Sequence, residues 1–297
     1  MNEHHHTTTA QRRALRREVA GTIALLADEE DFTAMRQYET FTFDDHAHYL
    51  HEVERLLKTL AAQGGHTTVA LFDPADYADY CADTGLDPDR PASRSRYTAE
   101  RAATGARVTY TGQPLSTLVP TLVDTAVRRA TWEYATMLLT EAGPCADCGE
   151  DIGSASFDRA SHLLLRLLDA AGPGTHHLVC SVPAADEHLV ATLHTTRDTT
   201  GPARLDSSQG AEFVTVLAVG IALGTPGGVV LRTTTPKAPD RLHGWRLHDG
   251  RLHPLTEAEV FDAYCTDART GEPIAPEPHV DYRAGFPLTP PDDPHAH

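Results

Sequence analysis

The spacing of apolar and polar positions divides the chain into two textures. Through residue 142 helical periods dominate, interrupted by short strands. Residues 10–27 carry Leu15, Val19, Ile23 and Leu26 near helical spacing and predict a helix. "YETFTF", residues 38–43, alternates with the period of a strand. In "DDHAHYLHEVERLLKTLAAQGG", Tyr49, Leu50, Val53, Leu56, Leu57 and Leu60 form one stripe. Asp44 or Asp45 supplies the cap and Gly64 the stop, which makes this the clearest helix in the sequence.

"HTTVALF" then predicts a strand, and "DPADYADYCADTG" a helix capped by Asp73, opened by Pro74 and ended by Gly85. "LDPDRPASRS" reads as loop, "SRYTAERAATG" as helix and "ARVTYTG" as strand. A long helix follows from about Pro120 to Glu141, with Leu122, Val123, Ala126, Val127, Ala130, Tyr134 and Met137 in period. Strands separated by helices predict βαβ units and a mostly parallel sheet.

Beyond Gly143 the texture changes. "SASFDRASHLLLRLLDAAGPG" reads as a helix capped by Ser154 or Ser156, after which strands prevail: "THHLVCSV", "EHLVATLHTT" and "GGVVLRTTT". One apolar helix from about Ala211 to Leu223 interrupts them. In "GWRLHDGRLHPL", Asp249-Gly250 sits between two matched runs and predicts a hairpin. "TEAEVFDAYCT" carries Thr256 and Glu259 at capping-box spacing. The fold class expected is an α/β half over residues 1–142, then an α+β half with antiparallel strands over 143–285. Residues 286–297 form a Pro-rich tail, and the halves either share one core or fold as separate domains.

Composition narrows the function classes. A net charge of −17 argues against nucleic-acid and anionic-membrane partners, because such binding needs clustered Lys and Arg. The partner expected is a protein or a small molecule. With no signal-peptide pattern at the start of the sequence and only an 11-residue apolar run, Phe213–Leu223, the expectation is a cytoplasmic protein. Arg rather than Lys supplies most of the positive charge, as in proteins of high-GC genomes. Five cysteines in a reducing compartment default to thiols, metal ligands or redox groups, and Cys81 and Cys265 are expected to be buried thiols.

The pair in "GPCADCGEDIG", Cys145 and Cys148, has the C-x-x-C-G form of a zinc knuckle, in which two thiolates share one metal. His176 and Cys180, two strand positions on one face, are the candidates for the other ligands. His162 is a weaker one. An ordinary reduced pair and a redox couple are the alternatives. The redox reading is weakened because thioredoxin-like pairs follow a strand, whereas this one follows a helix. "PCADC" also resembles half of the nucleobase-deaminase zinc motif, but the H-x-E or C-x-E half is missing upstream.

A second constellation is "FDDHAH". Asp44, Asp45, His46 and His48 lie where the predicted strand passes into a helix, the edge at which α/β folds place chemistry. The H-x-H resembles the first metal motif of amidohydrolases and PHP-type phosphoesterases, which implies a metal-activated water. The later ligands of those families are not found in order. The leading expectation is therefore a non-catalytic binding or regulatory protein with a structural zinc. A metal-dependent hydrolase at Asp44–His48 is the first alternative, and a thiol switch at Cys145 and Cys148 the second.

Overall fold

A computed structural model describes residues 21–184, 187–267 and 269–288. The chain divides into two compact units, Met1–Arg129 and Ala130–His297. Helices and strands mix in both, so the α/β character is as expected. Among the described residues no helix is long and apolar enough to cross a membrane.

The first unit is built on three strands in the order β1 (Gly21–Leu25), β2 (Thr67–Leu71), β3 (Arg107–Thr109). β1 and β2 are parallel, and β3 runs against β2. The mostly parallel sheet expected from the sequence is thus corrected to a small mixed one. β1 occupies the end of the predicted first helix, whose residues 10–20 lie outside the described residues. Gly21 disfavours a continuing helix, and the β-branched Thr22 and Ile23 suit a strand, where Ile23 pairs with Val69.

"YETFTF" is not a strand either. Its residues form turns and irregular chain after α1 (Glu29–Met35). Its aromatic rings fold into one cluster instead of alternating across a sheet: Phe41 lies 5.5 Å from Phe32 and 5.2 Å from Phe43, and Phe43 lies 5.2 Å from Tyr49. Around the sheet stand α2 (His46–Ala62), α3 (Pro74–Thr84) and α4 (Pro91–Glu100). Asp73 caps α3 by accepting from the amides of Ala75 and Asp76, and left-handed Gly85 ends it, as the sequence predicts. Leu25, Leu57, Val69, Tyr77 and Tyr97 fill the core between these elements.

The division between the units falls within α5 (Leu115–Glu141), which begins five residues before the predicted start at Pro120. Pro120 lies inside this helix, in its second turn, where it has no amide to donate to the Ser116 carbonyl. Leu115, Leu118 and Leu122 belong to the first core, whereas Ala135, Tyr134, Leu138 and Leu139 pack in the second.

The second unit sets α6 (Ile152–Ala171) and α7 (Ser207–Leu223) on one face of a seven-stranded sheet. Its order is β10 (Val280–Arg283), β8 (Asp240–His248), β7 (Gly227–Thr234), β4 (Gly174–Ala184), β5 (Glu187–Arg197), β6 (Arg204–Leu205), with β9 (Arg251–Pro254) hairpinned onto β8. Asp249 and Gly250 turn that hairpin, both at positive φ. Alternation does the sorting: His176, Leu178, Cys180, Val182 and Ala184 of β4 are buried, while the intervening side chains face away from the core. α7 is buried along nine consecutive residues from Phe213 to Ile221, which explains its nearly uninterrupted apolar sequence. α8 (Glu257–Cys265) carries the predicted capping box and packs Val260 beside Gly244 of β8. The short strand β10 was not legible in the Pro-rich approach to the C-terminus.

Phe213 is fully buried where α7 meets the sheet. Phe213→Ala is expected to cost about 3–5 kcal/mol by loss of buried area and cavity formation. Equilibrium urea denaturation, followed by the tryptophan fluorescence of buried Trp245, checks this.

Candidate metal centre

The segment between α5 and α6 folds into a closed turn around Cys145 and Cys148. The Cys145 amide donates to the Glu150 carbonyl at 2.7 Å, and the Gly149 amide donates to the Cys145 carbonyl at 2.9 Å. Outside this ring, Pro144 and Asp151 form an isolated antiparallel bridge, and the Ile152 amide donates to the Gly143 carbonyl at 3.0 Å. Gly149, at φ 75°, takes a left-handed conformation that other residues adopt at a cost, which gives the glycine of C-x-x-C-G a backbone reason.

These bonds orient donors toward sulfur. The backbone amides of Cys148 and then Asp147 bond the Cys145 thiol, the Cys148 side chain adds a further hydrogen bond, and together they hold it below its ordinary pKa. Cys145 is half-buried and Cys148 exposed, so the pair opens outward. Asp151 accepts from the Ser154 amide at 2.7 Å and caps α6, one turn earlier than the serines expected from the sequence. Gly153 brings α6 against α5: a Cβ there would lie 2.4 Å from the Leu139 carbonyl oxygen.

The two proposed partners of the cysteine pair do not join it. His176 and Cys180 share a face of β4, as expected, but that face is the core. The His176 ring is closed at both nitrogens: Nε2 donates to the Gly172 carbonyl at 3.0 Å, and Nδ1 accepts from the Thr233 hydroxyl at 3.0 Å. Burial is the main cause of its lowered pKa, with Arg241 and Arg197 adding to the effect and the Gly172 bond opposing it. Cys180 is wholly enclosed, and burial pushes its thiol up to about 12, the reverse of what a metal ligand needs. His162, on α6, bonds the Asp158 carbonyl one turn back in its own helix. Cys81 and Cys265 are buried thiols, as expected.

The "FDDHAH" residues are likewise dispersed. Asp45 is the cap of α2, accepting from the His48 amide at 2.7 Å. His46 turns inward to the Leu26 carbonyl at 3.1 Å and stacks near Tyr49, while Asp44 and His48 are exposed. The strand expected to present them is absent: residues 36–45 form turns and irregular chain. Among the described residues, no group of three or more His, Cys, Asp or Glu side chains is arranged to hold a metal.

Two features escaped the sequence reading. On the face of the sheet turned away from α6 and α7, His177 stacks on His194 at 4.2 Å with a 9° interplanar angle, and Ser181 bonds His188 at 2.5 Å. Period-2 alternation placed these residues opposite the core, but only strand register pairs His177 with His194. In the first unit, a cavity of about 680 Å³ opens beside β1, lined by Ile23, Met35, Phe41, Phe43, Tyr49 and Arg94 among others. Nothing in the linear sequence marks it, because its walls come from four separate elements.

Gly153→Ala is expected to destabilise the second unit by about 1–3 kcal/mol, since backbone rather than a mobile side chain blocks the new methyl. Thermal unfolding of the variant measures it. For His176, the unfolded chain binds a proton before the folded one does, so its contribution to stability is full above the unfolded pKa of about 6.5 and falls as pH drops below it. His177 and His243, both held low chiefly by burial, act with the same sign. Urea midpoints should therefore decline between about pH 7 and pH 5, with a shallower slope in His176→Gln.

Residues 10–113 match the model of a family described as Domain of unknown function (DUF8829). That segment reaches past β3 and ends before α5, so the cysteine turn lies outside it. No curated protein and no solved structure matches the chain.

Proposed function

We propose that the protein is a non-catalytic binding or regulatory protein that takes zinc at Cys145 and Cys148. The observation carrying this reading is the closed turn, held by the Cys145–Glu150 and Gly149–Cys145 backbone hydrogen bonds, that carries a half-buried cysteine and an exposed one three positions apart. Amide bonds to sulfur stabilise thiolate, the form that binds metal, and thiolate pairs favour zinc over hard cations. The earlier set of Cys145, Cys148, His176 and Cys180 is replaced by the pair alone. The acidic surface favours protein or small-molecule partners over nucleic acid, and a reducing cytoplasm would keep the thiols available. A dithiol switch uses the same two residues and is the second reading, favoured by the side-chain hydrogen bond between them.

The test is metal content by mass spectrometry on protein purified without an immobilised-metal column, wild type beside Cys145→Ser. Both proteins keep His4, His5 and His6, so adventitious binding there is common to the two. Zinc present in wild type and lost in the variant supports the reading. Equal metal in both, or folded wild type that takes none on addition of zinc, overturns it. A disulfide between Cys145 and Cys148 after mild oxidation of that metal-free protein would then favour the switch.

A further inference from the structure

The first unit leaves apolar side chains uncovered around the cavity of about 680 Å³ beside β1. Ile23 of β1 and Phe41 and Phe43 of the aromatic segment pack against the core but are only partly buried, and Leu56 of α2 is exposed. All four border the cavity, together with Met35 and Tyr49 from the core itself. Sites for small molecules occupy roughly 300–1,000 Å³ and combine apolar, aromatic walls of this kind with a few placed polar groups.

Those polar groups stand together on α4. Arg94 and Thr98, one helical turn apart, share a helix face and both border the cavity. Arg94 is half-buried, and its terminal nitrogens donate to Thr40, Nη1 to the hydroxyl at 3.0 Å and Nη2 to the carbonyl at 3.3 Å. Both acceptors are neutral, so the guanidinium is fixed in place without an ion pair among the described residues. Asp89, the carboxylate in its field, is itself engaged by the Thr40 amide at 2.8 Å. A positioned cation at the border of an apolar space selects a ligand with one negative end and an apolar body. One guanidinium matches one charge, and a chain of net charge −17 disfavours multiply charged anions.

We propose that the cavity beside β1 binds an apolar monocarboxylic acid, its body against Ile23, Phe41 and Phe43 and its carboxylate on Arg94. The site lies in the first unit and does not depend on the zinc reading of the cysteine turn. Covering the aromatic and aliphatic surface supplies affinity, and the hydrogen bond to a charged group supplies the preference for an acid over an alcohol.

The experiment titrates the full chain by isothermal calorimetry near neutral pH with decanoate, naphthylacetate and the uncharged decanol. The expected result is one acid bound per chain, with decanol bound about ten- to a hundredfold more weakly than decanoate, the ratio a hydrogen bond to a charged group supports. The tighter of the two acids shows whether a flexible chain or a ring system fits these walls better. Arg94→Gln should weaken acid binding by the same factor and leave decanol unchanged. Ser95→Trp, at an exposed position bordering the cavity, should block all three ligands while leaving the melting temperature unchanged. Cys145→Ser should bind the acids as wild type does, which separates this site from the cysteine turn. No binding by the full chain overturns the proposal, including the case in which residues 1–20, which precede β1, take the space themselves. Equal affinity for decanoate and decanol, or for wild type and Arg94→Gln, overturns it as well. Acid binding that survives Ser95→Trp lies elsewhere and has the same consequence.

Discussion

The second unit depends on the burial of α7 beneath α6 and against the central strands. Nine successive residues of α7 leave water, and strand positions that alternate with a period of two supply the floor on which they sit. That floor settles the fate of His176 and Cys180. Once alternation commits Leu178 and Val182 to the core, the residues two positions away follow, whatever chemistry they carry. His176 is accommodated as a neutral ring joining the Gly172 carbonyl to the Thr233 hydroxyl, and thus acts as a structural polar group. The cysteine turn lies outside this constraint, at the head of α6, and is shaped by its own backbone bonds.

The elements easiest to read were those whose signals are local. Asp73, Pro74 and Gly85 frame a helix without help from the rest of the chain, and Asp249-Gly250 or the Thr256–Glu259 box likewise carries its geometry within a few residues. The elements misread were those decided by distant partners. Gly21–Leu25 fits a helical period, but Thr67–Leu71 recruits it into a sheet. "YETFTF" has the alternation of a strand and no strand edge to join, so its rings collapse onto Phe32 and Tyr49. β10 pairs with β8 from forty residues away in sequence, beyond any local cue.

The same distinction governs the candidate site. The C-x-x-C-G spacing announced its own turn, because the conformation at Gly149 and the amides that bond Cys145 belong to the motif. It announced nothing about what else would converge there. His176 and Cys180 were chosen for residue type and strand parity, and parity was right, but which face becomes the core is a tertiary matter. Likewise Asp45 and His46 look like a catalytic cluster in one dimension, yet one serves the helix end and the other a buried carbonyl. Buried or capping roles absorb many chemically capable residues in this way.

The helix that spans the division has a consequence for how the family segment is handled. The matched residues stop at 113, whereas the first core takes Leu115, Leu118 and Leu122 from the helix that follows. All three are buried, the latter two completely. A chain ended at the limit of sequence similarity would therefore lack the side chains that close its own interior. The core these three residues help to close would be left partly open, and the isolated segment would tend toward aggregation. The boundary of recurrence in sequence and the boundary of a closed hydrophobic interior differ here by about two turns of helix.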